Sequence, residues 1–176
     1  MKITKAELIE LKACEDGLDR FIAQTNNTDE PVEVSSLVGG EVTYSDLLWL
    51  AGEKLPRERV VRFACDCALL NIELIKPYTD KYDLILEFLR NPAGAVGAVA
   101  WYAFRDTWRL PDDAIDASAY AYTSAYAAAY AAYAYTYSFA YAAATSATAA
   151  VAVYTTTDRY AGSQDKVDEL LRELFA

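Results

Sequence analysis

The sequence predicts an all-α fold, a multi-helix bundle of about seven to eight helices with long Ala/Tyr-rich helices in its C-terminal half. Three observations carry that prediction. Apolar residues recur every three or four positions in segment after segment, the spacing of one helix face. Helix punctuation separates these segments: Thr4, Pro56, Pro77, Asn91-Pro92 and Ser163. Residues 117–157 hold no charge, no Gly and no Pro in forty-one positions, eighteen of them Ala, the strongest helix former.

The elements follow in order. Thr4 with Glu7 makes a capping box. Leu8, Leu11, Leu18 and Ile22 continue at helical spacing, so a first helix is expected from about 5 to 24, ended by Asn26-Asn27-Thr28-Asp29. Residues 28–43 read as a loop punctuated by Pro31, Ser35-Ser36 and Gly39-Gly40, with Val-bearing pieces too weak for a hairpin. Ser45 is the expected cap of a short helix, Asp46 to about Lys54. Pro56 opens the next helix, which is expected to run to about Lys76 and stop at Pro77. Val60, Phe63, Cys67, Leu70 and Leu74 form one stripe on it, and Val61, Ala64, Ala68, Ile72 and Ile75 a second. A helix apolar on so much of its circumference is buried and central.

Asp80 to Arg90 is amphipathic through Tyr82, Leu84, Ile85, Phe88 and Leu89. Ala93 to Arg109 reads as an Ala-rich helix weakened by Gly94 and Gly97 and carrying Trp101, Tyr102, Phe104 and Trp108. Pro111-Asp112-Asp113 then starts the Ala/Tyr segment, where acids suit a helix N-terminus. Ser163 caps Gln164 to Phe175, amphipathic through Val167, Leu170, Leu171 and Leu174. The organisation is one domain, 1–176: a mixed helical part to 110, the Ala/Tyr-rich segment 111–161, and the C-terminal amphipathic helix 163–176.

Within the Ala/Tyr segment, Tyr122, Tyr126, Tyr130, Tyr133, Tyr137 and Tyr141 are spaced four, four, three, four and four apart. At about 100° per residue they share one helix face about 100° wide. Tyr133, Tyr135, Tyr137, Phe139 and Tyr141 also alternate as in a strand, but the Ala triplets 127–129 and 142–144 favour helix. One helix of this length would reach about 60 Å, longer than a compact domain of this size. A break is therefore expected at Thr145-Ser146, with helices from about 113 to 143 and 147 to 160. The stripe is either packing or a tyrosine-rich recognition face, and these six residues are the candidate partner-binding set. A membrane span is disfavoured: Leu and Ile are absent from 117–157 and hydroxyls are frequent.

Net charge is −10, and residues 1–56 supply five basic against eleven acidic side chains. No basic patch exists, which disfavours direct binding to a nucleic-acid backbone. No signal peptide is visible and the cysteines are odd in number (Cys14, Cys65, Cys67), so a cytoplasmic protein is expected. The absence of histidine removes the common nucleophilic triads and the commonest metal ligand. Cys65 and Cys67 form a C-x-C pair, but on a helix they point apart and read as core. Asp112, Asp113 and Asp116 read as helix capping, and Glu15, Asp16 and Asp19 as a solvated face. No phosphate-binding glycine motif occurs. The expectation is a non-enzyme with no catalytic residues, no cofactor and no metal.

Several pieces occur together and in order: Ala13-Cys14-Glu15-Asp16-Gly17-Leu18, Val61-Arg62-Phe63-Ala64-Cys65-Asp66-Cys67-Ala68, and Leu86-Glu87-Phe88-Leu89-Arg90. A long Ala repeat and a short amphipathic tail follow. This arrangement resembles the immunity-protein family of the bacterial polymorphic-toxin type, including related reading frames carried by phages. The resemblance implies an all-helical, non-enzymatic protein that neutralises a toxin, nuclease or defence protein by binding it. The chain departs from that pattern in placing Tyr, where relatives commonly place Arg, Asp, His or Trp, at the bulky positions of the repeat. Two other readings stand beside it: a Tyr-lined pocket that sequesters a nucleotide-like ligand, and a structural Ala/Tyr helix that assembles with copies of itself.

Overall fold

The computed structural model describes residues 1–92, 116–133, 138–155 and 163–176. It is a multi-helix bundle with almost no strand, as the periodicity predicts. The helices are α1 (Lys5–Glu10), α2 (Glu15–Thr25), α3 (Tyr44–Lys54), α4 (Arg57–Leu69), α5 (Tyr82–Arg90), α6 (Asp116–Tyr133), α7 (Ser138–Thr155) and α8 (Ser163–Leu174). Two 3-10 segments, Val34–Leu37 and Ile72–Tyr78, join them. The strands β1 (Lys2–Ile3) and β2 (Val32–Glu33) pair antiparallel, Lys2 opposite Glu33 and Ile3 opposite Val32. The 28–43 segment is thus tied to the start of the chain and not folded as a hairpin on itself. The predicted helix of 93–109 and the acids Asp112 and Asp113 lie outside the described residues.

The capping box at Thr4 and Glu7 forms, both halves present. The first helix is nonetheless two. Lys12 adopts a left-handed backbone (φ 62°), and Cys14 then caps α2, its Sγ accepting from the Gly17 amide at 3.4 Å. The pattern of Leu residues runs through the break because α1 and α2 pack the same core from different directions. Asn26 and Asn27, both left-handed, stop α2 where the asparagine pair predicted. Helix α3 begins earlier than expected. Thr43, not Ser45, is its cap, in a capping box with Asp46. Asp46 also accepts from Nε and Nη2 of Arg20, each at 2.8 Å, which joins α2 to α3.

Helix α4 is the buried spine the two stripes predicted: Val60, Val61, Phe63, Ala64, Cys65, Cys67 and Ala68 are all in the core. It ends sooner than Lys76, at Leu69, and the chain tightens into the 3-10 segment that contains Pro77. A helix through Lys76 would carry Asn71 onward on the α4 spiral. Instead Asn71 is buried, and its side-chain amide donates to the Ala150 carbonyl of α7 at 3.2 Å.

Helices α6 and α7 form an antiparallel hairpin packed against α4, with α3 behind α7 and the second 3-10 segment against α6. This corrects the expected break. Helix α6 closes at Tyr133 and α7, opening at Ser138, runs antiparallel to it, so the two are separate helices, and Thr145-Ser146 lies inside α7. The physical reason is the small faces. Ala121, Ala125, Ala128 and Ala131 on α6, and Ala143, Ala147 and Ala150 on α7, are fully buried. Folding the repeat back on itself buries these faces together, which a single extended rod could not do. Close approach recurs at α3, where a Cβ on Gly52 would lie 2.8 Å from the Ala140 Cβ. At the far end of the chain, α8 buries Val167, Leu171 and Leu174 as its pattern predicted. Tyr44 of α3 donates to the Asp168 carboxylate at 2.7 Å and fixes α8 to the bundle. No described helix is long and apolar enough to cross a membrane.

Candidate functional site

The surface that the sequence singles out is the tyrosine stripe, and its position depends on how α4 grips the hairpin. Three polar tethers do this. At the start of α4, Arg57 Nη2 donates to the carbonyls of Ala131 (3.3 Å) and Ala132 (2.6 Å), capping the C-terminal end of α6. The same guanidinium stands 5.9 Å from the Phe139 ring centroid at the start of α7. Midway, Ser124 and Ser146 meet Ala64, all three fully buried. Ser146 Oγ lies 2.9 Å from the Ala64 carbonyl and 3.0 Å from the Ser124 carbonyl. Ser124 Oγ lies 3.0 Å from the Ser146 carbonyl and 3.1 Å from its hydroxyl. Each hydroxyl has one proton, so Ser146 donating toward α4 and Ser124 donating toward α7 satisfies both. The third tether, just past the end of α4, is Asn71 to Ala150. Hydroxyls expected to break a helix therefore act between helices, where only small polar side chains fit.

With the hairpin held this way, the stripe divides between two helices. Tyr122 is buried at 9% exposure, and its ring stacks on Tyr126, centroids 6.4 Å apart and planes 18° apart. Tyr126 is half-buried, and burial together with the neighbouring Tyr130 pushes its hydroxyl pKa up. Tyr130 is exposed at 37%, with Tyr120 beside this face at 39%. Tyr141 is on α7, not on the same helix, and is exposed at 76%. Tyr133 closes α6, but its side chain lies outside the described residues, and so does Tyr137 altogether. The six residues are thus neither one stripe nor uniformly outward. Tyr122 belongs to the core, Tyr126 to its edge, and Tyr130 and Tyr141 to the surface.

The surface also contains threonines that the tyrosine count overlooks. Thr123 on α6, and Thr145 and Thr148 on α7, reach solvent. Their hydroxyls donate to the carbonyls one turn back, Ala119 at 2.9 Å, Tyr141 at 3.1 Å and Ala144 at 2.9 Å. Helical spacing from Tyr141 finds them, since Tyr141, Thr145 and Thr148 recur at i, i+4 and i+7. The outer hairpin surface is a neutral strip of tyrosine rings and back-bonded threonines on a protein of net charge −10.

Elsewhere the chemistry is structural. Cys65 and Cys67 are both fully buried. Burial pushes the Cys65 thiol up to about 12 and the Cys67 thiol well above its ordinary range. Among the described residues no group of three or more Cys, Asp or Glu is arranged to hold a metal ion. A cleft of about 470 Å³ is bordered by Arg57, Arg62 and Arg90. Two of its guanidinium groups have partners: Arg57 caps α6, and Arg62 pairs with Asp66 and donates to the Arg90 carbonyl at 2.8 Å.

No family model matches the chain, and neither a curated protein nor a solved structure is significantly similar to it.

Proposed function

We propose that this chain is a non-enzymatic inhibitor that neutralises a toxin, nuclease or defence protein by binding it, through the neutral Tyr/Thr strip of α6 and α7. One observation carries the reading. Tyr130 and Tyr141 hold aromatic rings in solvent on a hairpin that carries no charge from residue 117 to its end. Tyrosine contributes large contact area at low entropic cost and is enriched where protein interfaces concentrate their energy. Back-bonded threonines add area without hydroxyl protons that a partner would have to satisfy. The resemblance to immunity proteins points the same way. The nucleotide-pocket reading receives less support, because the cavities described here are walled by other residues than the stripe tyrosines.

The test is affinity capture from bacterial lysate with mass spectrometry, using the wild type beside Tyr130→Ala/Tyr141→Ala. Both positions are exposed, so the variant is expected to keep its helical circular dichroism. A partner retained by the wild type and lost by the folded variant supports the proposal. Equal capture by both proteins removes the strip from the interface. Concentration-dependent dimers in sedimentation velocity, abolished by the same substitutions, would replace the inhibitor reading with self-assembly.

A further inference from the structure

A cavity of about 320 Å³ opens between α1, α2 and α3, far in sequence from the hairpin. Its walls are core side chains: Ile3, Leu8, Phe21, Leu47 and Leu50, with the half-buried Trp49 beside them. Packed interiors rarely leave voids much larger than a water molecule. Water would find few partners against these walls. The size falls at the small end of known small-molecule sites, about 300–1,000 Å³.

The polar groups at its rim are few and unequal. Asp46 is saturated, since Arg20 and Thr43 take its oxygens. Cys14 is exposed at the mouth. Lys12, exposed and held at φ 62° in the turn between α1 and α2, is the charged wall residue that forms no ion pair among the described residues. The break between α1 and α2 is what places Lys12 and Cys14 there.

We propose that this cavity is a binding site for a small carboxylate with an apolar body, the body against Leu8, Phe21 and Leu47 and the carboxylate toward Lys12. A ligand of about a dozen heavy atoms fits the volume, and ordinary ligand efficiency puts its dissociation constant at about 2 mM. This inference is independent of the protein-binding strip.

The chain contains its own reporter. Cys65 and Cys67 are buried, so iodoacetamide acting on the native protein alkylates Cys14. The experiment measures that rate by mass spectrometry in the full chain as 4-phenylbutyrate is raised to about ten times the expected dissociation constant. Saturable, several-fold protection of Cys14 is expected, with a rise in melting temperature. Ala13→Leu, which fills the cavity from the α1–α2 turn, should abolish the protection. Lys12→Gln should weaken 4-phenylbutyrate several-fold while leaving 4-phenylbutanol unchanged. An unprotected Cys14 in folded protein overturns the site, as does equal protection in a folded Ala13→Leu variant. Equal weakening of the acid and the alcohol by Lys12→Gln overturns the carboxylate assignment.

Discussion

The bundle up to Arg90 and the α6–α7 hairpin solve the same packing problem with opposite materials. The first part interlocks large side chains, with Phe21, Leu47, Leu48, Ile75, Ile85 and Phe88 all fully or almost fully buried. The hairpin brings backbones close through Ala and Ser, burying few large side chains (Tyr122, Phe139 and Val153), while Tyr126 sits at the edge and Tyr130 and Tyr141 in solvent. Charge follows the same division. Arg20–Asp46, Arg62–Asp66 and Lys54–Glu7 lace the first part together, while residues 117–157 contain nothing to ionise except tyrosine. A core of large residues tolerates a lost methylene badly because a cavity remains. A core of small residues tolerates an added one badly because backbones must separate. The two regions should therefore respond to truncation and enlargement in opposite ways.

Within the first region the largest expected effect is truncation. Leu48 is fully buried in α3, and Leu48→Ala should cost about 3 kcal/mol in urea-induced unfolding. In the hairpin the comparable damage comes from growth. Ser146→Leu forces a branched side chain between α4, α6 and α7 and should cost about 2 kcal/mol, whereas Ser146→Ala should cost about 1 kcal/mol, the worth of its hydrogen bonds. If Ser146→Leu proves no worse than Ser146→Ala, the junction is loose and the contrast between the regions fails.

The tyrosines sharpen the comparison further. In the first region they donate to carboxylates: Tyr44 to Asp168, and Tyr82 to Glu73. Burial, then the bond to Glu73, pushes the Tyr82 hydroxyl up to about 12; burial and Asp168 push Tyr44 higher still. A folded-state value above the ordinary 10 means that this stabilisation is complete below pH 10. It is lost as pH rises through the folded value near 12. Melting temperature should therefore decline between those limits. Tyr82→Phe should cost about 1 kcal/mol at neutral pH and make that decline shallower, and an unchanged slope would mean that Tyr82 does not contribute to it.

How far the sequence reveals all this depends on which signal each feature leaves. Thr4 with Glu7, the asparagine pair after α2 and the two stripes of α4 as far as Ala68 are local patterns, and they form as predicted. The split between α1 and α2 is hidden because Leu8, Leu11 and Leu18 keep one period through it, while Lys12 shows no preference for its left-handed backbone. The hairpin reversal is hidden for the opposite reason. Ala and Tyr repeat through residues 133–138 without Gly or Pro, so composition has no mark at the turn. Thr145-Ser146 carries the residue types of a cap, but what decides its conformation is the Ala64 carbonyl of a helix more than eighty positions away in sequence. Of the candidate site, the tyrosines were legible and the division between core and surface was not, because that division depends on where α4 lies.

The smallest expected effect is the one that separates fold from function. Tyr122 and Tyr141 are alike in the sequence, each a tyrosine at a stripe position preceded by Ala. In the structure they are opposites, since Tyr122 is buried and stacked on Tyr126 while Tyr141 is exposed. Tyr122→Ala removes a packed ring and should cost about 3 kcal/mol. Tyr141→Ala removes a ring that covers little and should stay within about 0.5 kcal/mol of the wild type. A ring that contributes so little to stability is free to serve the proposed contact surface. Thermal unfolding of the two variants side by side checks the assignment. A large loss from Tyr141→Ala would return that ring to the packing of the hairpin and remove it from the proposed contact surface.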